Sequence, residues 1–147
     1  MPPACYSANG LNFAGDAAPI LGRRDYFAWT CTSNGGNPML NSSYQSCIQA
    51  CSNCVLACET CAASCLREED VKMMARCIEL DRDCADMCAM AALLMTRDSA
   101  YAKAFCKLCA QVCRDCAEEC GRHSHDHCQA CAQACRQCAE ECERMAA

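Results

Sequence analysis

The chain has 147 residues, a length that fits one compact domain. Its formal net charge is −5, and the absence of a Lys/Arg cluster argues against nucleic acid as a partner. No run of about 18 apolar residues occurs, so we expect no membrane-spanning helix. Aromatic residues make up only 5% of the chain whereas 21 residues are cysteine, so small side chains, cysteine above all, must build the core.

The first 40 residues are predicted to form an irregular arm. They hold all four prolines and five of the six glycines, residues that interrupt helices, but only two cysteines, Cys5 and Cys31. Arg23 and Arg24 begin a stretch similar to a twin-arginine export signal, but the apolar run that such a signal needs does not follow. We therefore interpret this pair as solvated and predict two parts, the arm (1–40) and a cysteine-lined bundle (41–147).

From residue 41 onward the chain has no proline and one glycine, and four helices are predicted. They run from about 42 to 66, from 69 to 95, from 98 to 120 and from 124 to 145. Asn41 and Asp98–Ser99 offer side-chain oxygens for N-caps, and Gly121 is typical of a helix C-terminus. Because the links are short, neighbouring helices should be antiparallel. The predicted fold is all-α, an antiparallel up-down-up-down four-helix bundle with an irregular N-terminal arm.

Cysteine recurs along these helices at alternating steps of three and four residues. The first helix has Cys47, Cys51, Cys54, Cys58, Cys61 and Cys65; the second, more sparsely, Cys77, Cys84 and Cys88; the third Cys106, Cys109, Cys113, Cys116 and Cys120; the fourth Cys128, Cys131, Cys135, Cys138 and Cys142. This is the heptad spacing of a seam that faces partner helices. Nineteen cysteines are thus predicted to point at one axis.

A thiol-lined core has several possible explanations. Packing alone does not explain why Leu, Ile and Val are nearly absent from the stripe, although cysteine packs as a small hydrophobe. A uniform column of thiols specifies no unique disulfide connectivity. A chaperone or a redox enzyme would need one distinguished thiol of low pKa, and none stands out. Metal binding is the explanation we favour.

The choice of metal depends on charge. Soft thiolates select Cu(I), zinc or iron–sulfur clusters, but iron–sulfur ligands usually lie in loops followed by proline. Four thiolates around one zinc ion leave a charge of −2, which is costly to bury, whereas one Cu(I) per thiolate leaves the core neutral. We favour multiple Cu(I) ions, roughly one per core cysteine. Metallothionein-like zinc or cadmium sequestration and a disulfide-stabilised structural module are the alternatives.

The two ends of the predicted bundle differ in chemistry. One end, here called the mouth, gathers Met73, Met74 and all three histidines, His123, His125 and His127. Thioether and imidazole groups suit copper, so metal is predicted to enter at the mouth, with Met74 and the three histidines as further ligands. The other end is predicted to be an apolar plug of Tyr44, Leu93, Leu94, Tyr101, Phe105 and Met145, while Met87, Met90 and Met95 fill the core. No catalytic constellation is visible, so no enzyme is predicted.

The CxxxC and CxxC repeats on four helices, Met74 before Cys77, and the ending CQACAQACRQCAEECERMAA resemble the bacterial copper storage proteins over about residues 42–147. The resemblance implies a tetramer of bundles that fill with Cu(I), for supply to cuproenzymes or for sequestration, with copper chaperones or cuproenzymes as clients. It implies ligand roles for the nineteen cysteines and mouth roles for Met74 and the histidines. This family has cytosolic and exported members; we expect a cytoplasmic protein, with twin-arginine export as the alternative.

Overall fold

The computed structural model describes residues 41–147, which form one 3-10 helix and four α-helices. The 3-10 helix spans Ser42–Tyr44, and the α-helices are α1 (Gln45–Cys65), α2 (Ala75–Thr96), α3 (Ala102–Cys120) and α4 (Asp126–Ala146). The predicted arm, with Cys5, Cys31 and the arginine pair, lies outside the described residues.

The helices form the predicted antiparallel bundle. α1 packs along α2 and α4, and α3 packs along the same two helices. Contacts between the end of α1 and the start of α2 (Cys65 with Cys77) and between the start of α1 and the end of α4 (Cys47 with Cys142) show that neighbours run in opposite directions. The sequence prediction of an up-down-up-down four-helix bundle is confirmed.

The start of the second helix was predicted too early. α2 begins at Ala75, whereas the sequence pattern placed its start near residue 69. The segment between α1 and α2 makes short-range turns instead, in which the amide of Met73 donates to the carbonyl oxygen of Asp70 and that of Met74 to Val71. The Asp70 side chain also accepts from the Met73 amide at 3.4 Å, the local bond by which aspartate competes with helix formation.

Two other helix ends differ in detail from the expectation. Asp98 does not cap α3 but ends α2 in a left-handed conformation (φ 49°), and Ser99 donates its amide to Leu94 at 2.9 Å, the pattern of a Schellman motif. Gly121 does follow α3, but with a right-handed φ of −63°. A Cβ there would lie 3.0 Å from the carbonyl oxygen of Ala117, a tight contact.

The core consists of cysteine and alanine with few larger side chains. Besides the cysteines it contains Ala50, Ala62, Ala85, Ala91, Ala102, Ala110, Ala117, Ala132, Ala139, Leu80, Asp81, Met74 and Met95. Small side chains let the helices approach closely, and free cysteine packs as a small hydrophobe. The bundle can therefore be folded without metal.

The predicted plug is partly wrong. Tyr44, Leu94, Phe105 and Met145 pack against the core at the end opposite the mouth, and Met95 is fully buried among them. Leu93 and Tyr101 are instead exposed. Leu93 is exposed because one residue along a helix rotates the side chain by about 100°, away from the side that Leu94 occupies. Among the predicted core methionines, Met87 is half-buried against the core but Met90 is exposed.

Candidate metal centre

The structure gathers the stripe cysteines into one buried set of thiols. All nineteen cysteines of residues 41–147 are fully buried and free. Neighbouring sulfur atoms lie between 3.4 and 4.0 Å apart, well beyond the ~2.05 Å of a disulfide bond. In several groups of four, such as Cys58, Cys116, Cys131 and Cys135, all four sulfur atoms lie within 4.8 Å of one another. A metal ion bound by that group would join α1, α3 and α4.

Two kinds of sulfur contact build this set. Within one helix, residues four apart bring their sulfur atoms to 3.8–3.9 Å, as in Cys54–Cys58 and Cys131–Cys135, because such positions lie on one face. Between helices the contacts are as short as 3.4 Å, at Cys77–Cys120. Metal–sulfur bonds of about 2.3 Å bridge separations of this size. Both kinds of pair can therefore hold one soft ion between two sulfurs.

These contacts form an unbroken line of sulfur atoms along the bundle. No step is longer than 3.9 Å, and the line passes between helices at most steps. It runs through Cys65, Cys77, Cys120, Cys116, Cys135, Cys84, Cys113, Cys88, Cys138, Cys51, Cys142 and Cys47. An ion that exchanges one sulfur ligand for the next can thus travel from the mouth to the far end without leaving the thiols.

One carboxyl group lies among the thiols, and the sequence analysis missed it. Asp81 is fully buried, and its Oδ1 accepts from Cys116, Cys120 and Cys131 at 3.2–3.3 Å. The signal was present in the spacing, because residue 81 continues the steps of four and three that connect Cys77 with Cys84. Asp81 therefore occupies a stripe position on the helix that has fewest cysteines.

Burial changes the acidity of these groups. Removal from water raises the pKa of Asp81 to about 10, with a smaller contribution from the nearby Cys131 and Cys116, so the carboxyl group is protonated at neutral pH. At the mouth, burial raises the pKa of Cys65 to about 11 and also raises that of Cys128. Thiols in this state must release protons when they bind a metal ion.

The structure brings one of the three predicted histidines against the thiols. Nδ1 of His127 lies 3.5 Å from the sulfur of Cys61 and 3.4 Å from that of Cys128. Cys61 and Cys128 belong, with Cys65 and Cys77, to a group of four thiols here called the mouth thiols. On its other side His127 contacts Glu68, and their hydrogen bond lowers the pKa of the Glu68 carboxyl group.

The other two histidines face carboxylates and make no contact with the described thiols. His125 stacks on His127 with ring centroids 5.3 Å apart and also faces Glu68, whereas His123 turns to Glu119 at 3.4 Å. Met74 is buried, and the adjacent Met73 is 69% exposed. A surface cavity of about 360 Å³ at this end is lined by Glu68, Glu69, Asp70, Met73, Met74, His123 and His125. The mouth is therefore open, acidic and rich in soft donors.

Comparisons with known proteins agree with this arrangement. The sequence profile of the family described as Copper storage protein matches residues 40–147. The uncharacterized cysteine-rich protein YhjQ of Bacillus subtilis (strain 168) is 52% identical over 83 residues, 56% of this chain and 77% of the relative. No helix among residues 41–147 is long and apolar enough to cross a membrane.

Two solved structures share the fold at high identity. The Cu(I)-bound copper storage protein BsCsp3 is 50% identical, with a TM-score of 0.70, over 72% of this chain and 100% of its own. A copper storage protein from Streptomyces lividans, loaded with 10 copper equivalents, is 36% identical with a TM-score of 0.69, over 78% of this chain and 92% of its own.

Proposed function

The chain belongs to the copper storage protein family, and we propose that it stores copper as many Cu(I) ions, roughly one for each of the nineteen core thiols. The observation that carries this proposal is the core itself. Nineteen fully buried thiols lie in one connected set, and among residues 41–147 no lysine, arginine or histidine is fully buried with them. Only a monovalent soft ion can neutralise these thiolates one for one.

The net charge left in the core favours Cu(I) over zinc. The spacing of the sulfur atoms would suit tetrahedral zinc as well, since zinc–sulfur bonds are about 2.3 Å long. Each zinc site of four thiolates would keep a charge of −2, and buried charge without a counter-ion is costly. Residues 41–147 contain no fully buried lysine, arginine or histidine to balance that charge, and their one buried acidic residue, Asp81, is protonated. Zinc or cadmium is therefore the second candidate.

Copper would enter at the mouth and move inward. His127 adds a nitrogen donor against two of the mouth thiols, and the buried Met74, which lines the mouth cavity, adds a thioether donor; both groups suit copper. The continuous line of sulfur atoms then offers a path of ligand exchange to the far end, where Phe105, Met145 and Met95 exclude water. The Oδ1 atom of Asp81, within 3.3 Å of three thiols, is an additional oxygen donor partway along. His125 and His123 are ligands of the outer mouth in this proposal.

The remaining properties follow from the family and the sequence. We infer a storage role without catalysis, because no described thiol is set apart from the others. The same proposal includes a homo-oligomer, which is a tetramer by resemblance, and a division of the chain into an arm (1–40) and a bundle (41–147). It also includes copper chaperones or cuproenzymes as clients. A cytosolic copper storage protein from Streptomyces lividans, 39% identical, supports a cytoplasmic location, with export as the alternative.

An anaerobic Cu(I) titration tests the storage proposal. Fully reduced protein is titrated against a competing chromophoric Cu(I) chelator, and proton release is followed in parallel. We expect an endpoint near nineteen ions per chain, one for each core thiol, with proton release as the protonated thiols bind the ions. An endpoint of one or two ions would contradict storage. A parallel titration with zinc that consumed all the thiols at higher affinity would favour the second candidate.

A single serine substitution tests whether the number of bound Cu(I) ions depends on the number of core thiols. Cys58 contacts three other sulfur atoms, those of Cys54, Cys131 and Cys135. Cys58→Ser should lower the Cu(I) endpoint by about one ion while the protein stays helical by circular dichroism, since serine is nearly isosteric and its hydroxyl group can donate to the neighbouring sulfurs. The control is Ser52→Ala on the exposed face of α1, which should keep the full endpoint. A large loss of helicity in Cys58→Ser would mean that this thiol is needed for packing.

A further inference from the structure

The turn after α1 places one carboxylate between two histidines of the mouth. Glu68 lies three residues beyond the end of α1. Its Oε1 is 3.0 Å from Nε2 of His127, and its Oε2 is 3.4 Å from Nε2 of His125. Because Nδ1 of His127 faces Cys61 and Cys128, the ring of His127 connects a carboxylate on the rim to thiols inside the core.

This contact selects one tautomer of His127. A neutral imidazole has one N–H group and one lone pair, and an ionised carboxylate only accepts hydrogen bonds. The short contact with Glu68 therefore favours the proton on Nε2 and leaves the lone pair on Nδ1, directed at the two sulfur atoms. Metal-binding histidines commonly donate their second ring N–H group to a carboxylate in this way.

We propose that Glu68 is a positioning residue for copper capture, which holds His127 with its Nδ1 lone pair directed at the mouth thiols. The first Cu(I) ion to arrive then meets a nitrogen ligand and the thiols of Cys61 and Cys128 already in place. This inference rests on the proposed copper storage function. Glu68 itself stays outside the thiol set and is not a ligand.

Glu68 differs from the other glutamates of residues 41–147 in its ion-pair partners. Within residues 41–147 the glutamates that form ion pairs on the helix surfaces all pair with arginine, as Glu79 does with Arg76, and one of them, Glu119, also faces His123. Glu68 is within ion-pair distance of His125 and His127 alone in the same part of the chain. Its side chain is 32% exposed. Stacking of His125 on His127 adds a second restraint on the same ring.

Loss of Glu68 should weaken the binding of the first Cu(I) ions and leave the total number of bound ions unchanged. Loss of a carboxylate that orients a metal-binding histidine typically weakens metal affinity about 10- to 100-fold. The deeper thiols, from Cys58 inward, make no contact with Glu68 or His127. Removal of the Glu68 carboxylate should therefore weaken capture at the mouth and leave the final number of bound ions unchanged.

Three variants of the full chain test this inference: Glu68→Ala, Glu68→Gln and, as a control, Glu140→Ala. Glu140 is an exposed glutamate of α4 outside the mouth, and within the described chain it makes no side-chain hydrogen bond or ion pair. The tautomer of His127 is read from the nitrogen chemical shifts of its ring in reduced, metal-free protein by long-range ¹H–¹⁵N NMR at about pH 8. The affinity for the first Cu(I) equivalent and the final endpoint are then measured against a chromophoric chelator.

In wild type and Glu140→Ala we expect the Nε2–H tautomer. Glu68→Ala should shift His127 toward the Nδ1–H tautomer and weaken the first Cu(I) affinity about tenfold, with an unchanged endpoint. Glu68→Gln, whose side-chain oxygen can still accept the hydrogen bond, should recover most of both. If Glu68→Ala keeps the wild-type tautomer, or keeps the wild-type first affinity, the inference is wrong. If wild type itself binds only one or two ions, the storage proposal fails instead, while the NMR result still reports what Glu68 does to His127.

Discussion

Filling the reduced protein with Cu(I) is expected to raise its thermal unfolding temperature by at least about 20 °C. Ions bound by groups such as Cys58, Cys116, Cys131 and Cys135 join three helices, so they favour the folded chain. The unfolded chain also offers thiols, which reduces the effect. A preference of only threefold per ion is nevertheless worth about 0.6 kcal/mol, and over nineteen thiols this amounts to about 11 kcal/mol, enough to shift the midpoint by tens of degrees.

Circular dichroism at increasing copper equivalents measures this shift. The midpoint should rise with each addition up to the titration endpoint and return to the metal-free value when a strong Cu(I) chelator removes the ions. A rise that stops after one or two equivalents would mean that the deeper thiols do not take part. A fall in the midpoint would mean that the unfolded chain binds Cu(I) better than the bundle does, which would contradict a preformed storage core.

Between pH 5 and pH 8 the free energy of unfolding of metal-free wild type should fall by about 4 kcal/mol relative to that of Asp81→Asn. The asparagine variant should therefore gain stability over wild type as the pH rises. Burial raises the folded-state pKa of Asp81 to about 10 from an ordinary value of 3.8. Between these two values the folded chain keeps a proton that the unfolded chain has lost, so wild-type stability is highest below the lower value and falls as pH rises. The slope for one such proton is about 1.4 kcal/mol per pH unit, and asparagine has no proton to lose.

Chemical unfolding of wild type and Asp81→Asn at pH 5, 6, 7 and 8 measures this difference. Below pH 8 the cysteines of the unfolded chain are still largely protonated, and their contribution and that of the histidines cancel between the two proteins. Asp83→Asn, an exposed position on α2, is the control and should follow the wild-type curve. If wild type and Asp81→Asn change in parallel with pH, the carboxyl group of Asp81 titrates normally and is not enclosed by the thiols as described.

The sequence pattern predicted the fold and the thiol core because both depend on local regularities. Steps of three and four match the helical repeat, so Cys54, Cys58 and Cys61 had to lie on one face of α1. Short links required antiparallel neighbours, and this placed the histidines near Met74 at one end. The boundary of α2 was predicted less well, because residues 66–74 have helical propensity and only the turn bonds around Asp70 prevent a helix there.

The individual contacts of the site could not be predicted in the same way. The sequence treats His123, His125 and His127 alike, but His127 lies in the first turn of α4 against the thiols, whereas His123, in the loop before α4, contacts Glu119. The role of Glu68 was invisible because it depends on a contact across 59 residues of chain. Asp81 lay in the stripe by spacing alone, yet its charge made it resemble a surface residue.

By itself the amino-acid sequence determined which cysteines line the core of this protein, how many thiols the core holds and which end carries the histidines, because helical periodicity and link length act over a few residues. Only the tertiary structure decided which sulfur atoms touch, that the thiols form a continuous line, that Asp81 lies among them, and that Glu68 and His127 meet at the mouth. These contacts depend on how each helix is rotated and shifted against its neighbours, and the packing of all four helices together sets those quantities.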